Sequence, residues 1–334
     1  MRTVLAVVVS YKTSDLVKNL LDSLARERAP EADRGVLLRA LVVDNASGDA
    51  EPIQRAVDDA GYRDWVTVIA APRNGGFAYG NNLGFRHGFE SAPVPDYFFL
   101  LNPDTEVRRG AITALVRFLD QHPEAGIVGS SFESQDGRPW LFAYRYPSWL
   151  SELDNGLRLG VVSKLLRKHI VLRPMGDVPE QVDWFPGASM MLRRQVIEDV
   201  GGMDENYFLY FEETDLCRKV KAAGWTIWYV PESRVMHIVG QSTGGTIDRQ
   251  GKQRLPPYWF ESRRRYFTKN HGLLYAMATD AVFFLAYLAG ETKEKLKAHG
   301  NPGIPHLARD ILRYSVLRGR NRTLAPPQEW RPVK

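Results

Sequence analysis

The residues Asn102-Pro103-Asp104-Thr105 follow an apolar run, Tyr97–Leu101, and their types suit metal-assisted phosphate chemistry. An apolar run of this length reads as a buried strand. A carboxylate just past the carboxyl end of such a strand stands where open α/β sheets bind ligands. Asp104 is therefore placed to hold a divalent metal against a phosphate. Asn, Pro and Asp are also turn formers, and a plain turn fits the tetrapeptide equally well. His237 ends the short run Val235-Met236-His237. A lone histidine is more often a structural hydrogen-bonder, but with Asp104 it would complete a metal site, histidine being the commonest metal ligand.

Three acids, Glu212, Glu213 and Asp215, stand among Phe208, Leu209, Tyr210, Phe211 and Leu216. Acids in a first helical turn complement the helix dipole. A carboxylate in apolar surroundings also has a raised proton affinity, which suits a general base. On a helix Glu212 and Asp215 share a face while Glu213 points elsewhere, so one acid can brace while another meets substrate.

Asp44 closes Leu41-Val42-Val43-Asp44. A strand-end acid binds ribose hydroxyls or a base amide, or it closes an Asx-turn or helix cap with Ser47 and Asp49 nearby. The first turn, Ser10-Tyr11-Lys12-Thr13, lacks the glycines of a dinucleotide fingerprint, and no Walker A motif occurs. A nucleotide would have to be held differently. The segment Arg73–Asn82 is dense in Gly and Asn. Gly75 and Gly76 suit a loop entering a helix, whereas Gly80, Asn81 and Asn82 are weak helix formers inside a helical stretch. Glycines also let backbone approach a ligand closely.

These residues need a scaffold, and the chain supplies a regular one. Val4–Ser10, Leu38–Asp44, Val66–Ala71 and Tyr97–Leu101 read as strands. Ser14–Arg28, Glu51–Ala60, Tyr79–Glu90 and Ala111–Gln121 read as helices. This alternation predicts a parallel sheet covered on both faces. After Gly126 the rhythm changes. Asp136-Gly137 suits a hairpin turn, residues 140–185 are irregular with an amphipathic stretch near Val161–His169, and Ala188–Leu192 suits a short strand. A helix over Tyr210–Ala223 stops at Gly224, and strands Thr226–Val230 and Arg234–His237 follow. Residues 240–256 have the composition of a mobile loop, and the chain reads as helical from Tyr258.

The single cysteine, Cys217, excludes an internal disulfide, fits a reducing compartment and reads as core. The apolar run at residues 4–9 is too short for a signal peptide and reads as the first strand. No stretch of 18 uncharged apolar residues marks a membrane span. Residues 251–334 carry 16 Lys/Arg against 6 Asp/Glu, a net of +10 in a chain whose total is +5. A basic segment of this kind suggests an anionic partner. No nucleic-acid-binding motif accompanies it, so nucleic acid ranks low.

Taken together, the segments resemble family 2 glycosyltransferases, which have the GT-A fold and use nucleotide-sugar donors. The matching pieces run in one order over roughly residues 4–240: Val8-Val9-Ser10-Tyr11, Val42-Val43-Asp44-Asn45, Asn74-x-Gly76-x-x-x-Gly80-Asn81-Asn82-x-Gly84, Asn102-Pro103-Asp104, and Phe211-Glu212-Glu213-x-Asp215-Leu216-Cys217-x-Lys219. The wording is most similar to the rhamnosyltransferase-like branch. The resemblance implies a Rossmann-like, mostly parallel central sheet flanked by helices over residues 1–250, with a basic helical extension at 251–334. Nucleotide-sugar binding would fall in about 1–130 and the acceptor side in about 131–250.

The resemblance also implies roles. Ser10, Tyr11, Asp44, Asn74, Gly76, Asn81 and Asn102 would face the donor, with Gly187 and Ala188 lining the sugar pocket. Asp104 would be the last acid of a D-x-D motif, holding Mg²⁺ or Mn²⁺ with His237. Glu213 would be the catalytic base, with Glu212 and Asp215 as open alternatives, because Glu213 stands where Asp is commoner. Asn102 replaces an acid of D-x-D, which leaves the metal fewer charged ligands. The implied reaction is an inverting transfer from a dTDP- or UDP-sugar, first of all L-rhamnose, to a glycan or polyprenyl-diphosphate-linked acceptor in cell-surface polysaccharide synthesis. The Gly- and Thr-rich stretch after His237 would close over the donor.

For residues 258–290, interleaved basic and aromatic residues suit peripheral contact with the inner face of the cytoplasmic membrane. Packing on the catalytic domain or on a homodimer partner fits them equally. A non-catalytic sugar-nucleotide binding protein of the same fold is the rival reading. A nucleotidyltransferase would want a Gly-rich basic triphosphate loop after the first strand, which this chain lacks.

Overall fold

The computed structural model describes residues 1–33, 35–238, 254–297 and 303–332. The first half alternates as its periodicity predicts: β1 (Arg2–Ser10), α1 (Ser14–Asp33), β2 (Val36–Asp44), α2 (Ala50–Asp59), β3 (Val66–Ala70), α3 (Gly76–Glu90), β4 (Tyr97–Leu101), β5 (Thr105–Val107) and α4 (Ala111–Gln121). Strand β6 (Ala125–Glu133) follows where the sequence pattern shows only a change of rhythm. Next come the short strands β7 (Pro139–Trp140) and β8 (Phe142–Tyr144), helices α5 (Trp149–Leu157) and α6 (Gly160–Leu165), and strands β9 (Leu172–Pro174), β10 (Glu180–Gln181) and β11 (Ser189–Arg193). Helices α7 (Arg194–Val200) and α8 (Glu212–Ala222) precede one long strand, β12 (Thr226–His237). Helices α9 (Pro257–His271), α10 (Leu273–Lys295) and α11 (Leu307–Tyr314) complete the chain.

The main sheet runs β10-β12-β6-β11-β4-β1-β2-β3, with β5 on β12 and β7 on β6. Pairs β1–β2, β2–β3, β1–β4 and β6–β12 are parallel, and β11 enters antiparallel between β4 and β6. The pleat sorts β1 between two cores. Val4, Ala6 and Val8 pack with Leu20, Leu24 and Leu115 of α1 and α4, while Leu5 and Val7 pack with Phe85, Val196 and Leu216 of α3, α7 and α8. Burial on both faces explains why these strands read as continuous apolar runs. Cys217 lies in the second core, where burial pushes its thiol up to about 12.

Three expectations need correction. The strands expected at Thr226–Val230 and Arg234–His237 are one element, with a register shift against β6 between Val230 and Arg234. Within 140–185, α5 is a regular helix capped reciprocally by Ser148 and Ser151. Gly80 is explained by packing: Gly80, Gly84 and Gly88 recur on one face of α3, and a Cβ at each would meet Val9, Val7 and Phe98 at 2.5, 2.3 and 2.3 Å. The glycines let α3 lie directly on β1 and β4.

The C-terminal helices are bolted to the sheet domain by buried charge. Arg263 Nε donates to Glu152 of α5 at 2.7 Å, and its Nη1 donates to Asp280 of α10 at 2.5 Å. Asp280 also accepts from Ser315 Oγ and Val316 N–H. Arg265 and Lys269 both donate to Asp204, and Lys269 reaches Asp215 of α8 at 2.7 Å. Arg263, Arg265 and Lys269 therefore do not form the exposed basic face expected of residues 258–290; they neutralise acids inside the fold. Breaking a buried pair leaves an uncompensated charge, so Arg263→Ala should cost about 3–5 kcal/mol in chemical denaturation. A loss near that of an ordinary surface substitution would show that this pair is not a structural bolt.

Candidate active site

Strand β4 ends at Leu101, and Asn102 and Pro103 then form one wall of a cavity of about 610 Å³. Val9, Tyr11 and Lys12 enter from the end of β1, Asn45 from the end of β2, and Asn74, Gly76 and Phe77 from the start of α3. The opposite wall is Phe208 to Tyr210 with Glu212 and Glu213, and Tyr258 of α9 closes it. The cavity thus sits at the carboxyl ends of parallel strands, where an open α/β sheet binds ligands.

The walls are held by backbone contacts that few residues tolerate. Gly76 has φ +81°, and a Cβ there would lie 1.8 Å from the Phe208 carbonyl oxygen. That same oxygen accepts from Phe77 N–H at 2.9 Å, joining the two walls. Asn45 donates to Asn74 Oδ1 and the Gly76 carbonyl and accepts from Gly75 N–H. Lys12, Ala46, Tyr210 and Phe211 all have positive φ. Bulky residues in that region cost of order 1–3 kcal/mol each and tend to mark functional sites. Tyr210 stacks on Tyr258 and Phe211 packs on Tyr266, so α9 supports the strained turn that opens α8.

That turn delivers two adjacent carboxylates into the cavity. Glu213 Oε1 accepts from Gly187 N–H at 3.1 Å. Glu212 is 1% exposed, and no side chain hydrogen-bonds either of its carboxylate oxygens. Burial pushes the Glu212 carboxyl well above the usual carboxylate range and the charge of Glu213 pushes it further, against the opposing pull of the Glu212 and Tyr210 N–H groups. Burial also raises Glu213, but its own N–H and that of Gly187 oppose the shift. Burial raises both members, Glu212 the more strongly, which disfavours ionising the two together.

Asp215 does not join them. Its carboxylate accepts from Tyr207 Oη, Asn270 Nδ2 and Lys269 Nζ, and it faces α9. This turns Asp215, held open as an alternative base, away from the cavity that Glu212 and Glu213 line. Asp204, Asp215 and Glu329 lie close enough together to suggest a cation site. Lys269 already bonds all three, with Arg265 on Asp204 and Lys219 on Glu329. Burial raises the Asp204 carboxyl, but hydrogen bonding from Asn206 and the charge of Lys269 outweigh it and hold it at about 2. Protein ammonium and guanidinium groups fill the place a metal would take.

Asp104 and His237 do come together. Strand β5 pairs antiparallel with β12 so that Thr105 faces His237, and Ile238 N–H donates to the Asp104 carbonyl. This register sets His237 Nε2 3.4 Å from Asp104 Oδ1. One carboxylate and one imidazole at this separation fit two adjacent positions around a single divalent ion. The remaining positions would fall to water and phosphate oxygens.

The other expected donor contacts divide in two. Tyr11, Asn74, Gly76 and Asn102 line the cavity. Ser10, Asp44, Asn81 and Ala188 stand behind its wall. The Ser10 hydroxyl bonds Thr13, and Asn81 donates to the Phe77 carbonyl. Ala188 packs with Phe132 and Val235. The Asp44 carboxylate accepts from Ser47 N–H and Oγ, Gly48 N–H and Ala50 N–H, so it holds the turn into α2. Gly187 contributes its N–H to Glu213, and its lack of a side chain admits the Phe77 ring at 2.4 Å from a would-be Cβ. Sequence reading missed Lys12, Asn45 and Tyr258. Asn45 was signalled by its place beside Asp44; Tyr258 carries no local signal. The loop expected to close over the donor lies mostly in residues 239–253, outside the described residues.

Residues 2–254 match the family model described as "Glycosyltransferase like family 2". Over 251 residues the chain is 31% identical to an N-acetylglucosaminyl-diphospho-decaprenol L-rhamnosyltransferase of Mycobacterium tuberculosis, covering 71% of this chain and 76% of the relative. It is 24% identical to the rhamnosyltransferase WbbL of Escherichia coli, covering 69% and 81%. Among solved structures it resembles GalNAc-T7 with UDP, GalNAc and Mn²⁺, with a TM-score of 0.58 at 14% identity. That match covers 94% of this chain and 58% of the other, so the chain spans little more than half the length of that protein. The GT-A fold is common to both.

The buried pair makes a pH prediction. A carboxyl whose folded proton affinity is raised gives stability that is full below its unfolded pKa, about 4.3, and is lost as pH rises through the folded value. Glu212→Gln removes this loss. Thermal unfolding from pH 4 to 8 should therefore show the variant overtaking the wild type as pH rises, with the widest gap at the alkaline end. Parallel profiles would mean that Glu212 is not buried as a carboxylic acid.

Proposed function

The chain belongs to glycosyltransferase family 2, and on that premise we propose that it transfers a sugar, with inversion, from a nucleotide-sugar donor to a lipid-linked glycan. The donor is dTDP-L-rhamnose and the acceptor a polyprenyl-diphosphate-linked sugar. The named activity of the mycobacterial relative supports the rhamnosyl group and the lipid-linked acceptor. The observation that carries the reading is the Glu212–Glu213 pair, Glu213 braced by Gly187 N–H and Glu212 buried beside it, in a cavity at the carboxyl end of β4.

Glu213 accepts the proton of the acceptor hydroxyl. Its Oε1 is fixed by Gly187 N–H, which orients the carboxylate and opposes the rise in its proton affinity. The oxygen it activates attacks the anomeric carbon from the side opposite the nucleotide diphosphate, whose bond breaks as the new one forms. Glu212, in its protonated form, donates a hydrogen bond to a sugar or acceptor oxygen, since no side chain satisfies its carboxyl. Tyr11, Lys12, Asn45 and Asn74 hold the nucleotide end, with Tyr258 and Phe208 shielding it from water. Asp104 and His237 would hold Mn²⁺ or Mg²⁺, whose charge neutralises the departing diphosphate. Such an enzyme works on the inner face of the cytoplasmic membrane, where donor and lipid-linked acceptor meet.

Nucleotide-diphosphate release measured over a donor panel, with and without Mn²⁺, tests this. General-base catalysis supplies roughly 10²–10⁴-fold, so Glu213→Gln should lose turnover by about that factor while donor binding stays nearly unchanged. Equal loss of donor affinity would remove Glu213 from the role of base. Outer partners of a metal site alone are worth about 10–100-fold in affinity. His237→Ala should accordingly raise the half-saturating Mn²⁺ concentration at least tenfold, and an unaltered requirement would place the metal elsewhere. Donor that binds but is never turned over with any lipid-linked acceptor would favour the non-catalytic binding protein.

A further inference from the structure

Residues 325–331 run as an extended chain beside residues 202–206, the stretch that leads into the turn carrying Glu212 and Glu213. Gly202 N–H donates to the Trp330 carbonyl at 2.7 Å, and Glu205 N–H donates to the Gln328 carbonyl at 2.8 Å. Between these bonds Asp204 and Glu329 form an antiparallel bridge. Arg265, already bonded to Asp204, donates to the Ala325 carbonyl at 2.9 Å. Residues 325–328 are exposed, while Glu329 and Trp330 are half-buried anchors. Glu329 meets Lys219 at 3.1 Å and Lys269 at 3.3 Å. The Trp330 ring lies 5.4 Å from that of Phe89 on α3. Pro326 and Pro327 restrict the chain just before these anchors, which lowers the entropy lost when it docks.

The same stretch is held from α3 as well. Asn82 Nδ2 donates to the Met203 carbonyl, and Asn82 Oδ1 accepts from Met203 N–H, both at 2.8 Å. A Cβ on Gly202 would lie 2.2 Å from Asn82 Oδ1. One on Gly201, whose φ is +77°, would lie 3.0 Å from the Trp330 carbonyl oxygen. Residues 201–203 are therefore gripped between α3 and the 325–331 segment, without space to slide. This contact accounts for Asn82, a weak helix former in the middle of α3. The next residues carry the constraint to the cavity. Tyr207 N–H donates to the Asp204 carbonyl, Tyr207 Oη donates to Asp215, and the Phe208 carbonyl accepts from Phe77 N–H. Glu329 also shares Lys269 with Asp215 of α8.

We propose that residues 325–331 are a positioning strap for the turn that presents Glu212 and Glu213, with Glu329 and Trp330 as its fastening residues. Neither of the two lines the cavity. Glu329 acts through Lys269 on Asp215, and Trp330 acts through Gly202 on the stretch that ends at Phe208. The matched family model ends at residue 254, so the strap fastens the wall of the site from outside the matched region. A displacement of about 1 Å at a reacting group costs about 10²-fold in rate even when the change lies far from the chemistry. Slackening the strap would move both carboxylates against the Gly187 N–H that orients Glu213. The effect on rate rests on Glu213 acting as the base; the hold on residues 201–213 does not.

Nucleotide-diphosphate release and amide hydrogen exchange, both measured on the full chain well below its melting temperature, test the strap together. Trp330→Ala and Glu329→Gln should each lower kcat by about 10–100-fold with donor KM nearly unchanged. Trp330→Phe keeps a ring against Phe89 and should stay close to the wild-type rate. In the two slow variants exchange should quicken over residues 201–213 and match the wild type over β1 and β4. Quicker exchange throughout the chain, with the rate falling only in step with the folded fraction, would reduce the strap to a general brace and overturn the proposal. Unchanged exchange over 201–213, or an unaltered kcat in both slow variants, overturns it as well. A wild type that releases no nucleotide from any donor would sink the transferase reading instead, and the exchange pattern then decides by itself whether the strap holds the turn.

Discussion

The working site depends on how Asp215 is held. Its carboxylate, buried against α9, receives Lys269, Asn270 and Tyr207. This fixes the rotation of α8 about its axis. Once Asp215 faces inward to α9, the preceding turn must present Glu212 and Glu213 to the cavity. Two carboxylates side by side in a poorly hydrated wall are costly to ionise together. The Lys269 network meanwhile satisfies Asp204 and Glu329 as well as Asp215, so the buried charges of that cluster compensate one another. Losing one member would leave a buried charge, which is more damaging than never having had the pair.

This arrangement gives the C-terminal helices a second task. They cover apolar surface of the sheet domain, and they also complete the cavity. Tyr258 closes it, and its stacking on Tyr210 and tilted contact with Phe208 support the left-handed turn before α8. Strain at that turn is stored in the backbone and held by packing from an element more than forty residues further on. The rigid wall so produced is what electrostatic catalysis needs, since groups already oriented cost no reorganisation at the moment of reaction.

Asp104, next in the chain to Pro103 of the cavity wall, meets His237 through a different kind of contact. Asp104 and His237 are far apart in sequence and meet through strand register alone. A shift by one residue in that register would turn the histidine to the other face of the sheet. The long β12 strand, continuous through its bulge, is therefore part of the site as much as the residues it carries.

Periodicity decided most of the scaffold. The βα alternation of residues 1–121, the buried strands and the placement of Asn102-Pro103-Asp104 at a strand end follow from local pattern, because a pleat of period 2 and a helix of period 3.6 are written into adjacent residues. The order of motifs identified the family for the same reason. What the tertiary structure alone decided is which polar groups are free to act. Asp44 and Asp215 read as site acids but are consumed by Ser47, Gly48 and Ala50 on one side and Lys269 on the other. Glu212, which reads as a helix-end acid, is left in the cavity with no side chain bonded to either oxygen. Arg263, Arg265 and Lys269 of α9 point inward, though in sequence the run looks like an exposed basic face. Hydrogen-bond satisfaction and charge pairing are settled between residues distant in the chain, so no local pattern can announce them.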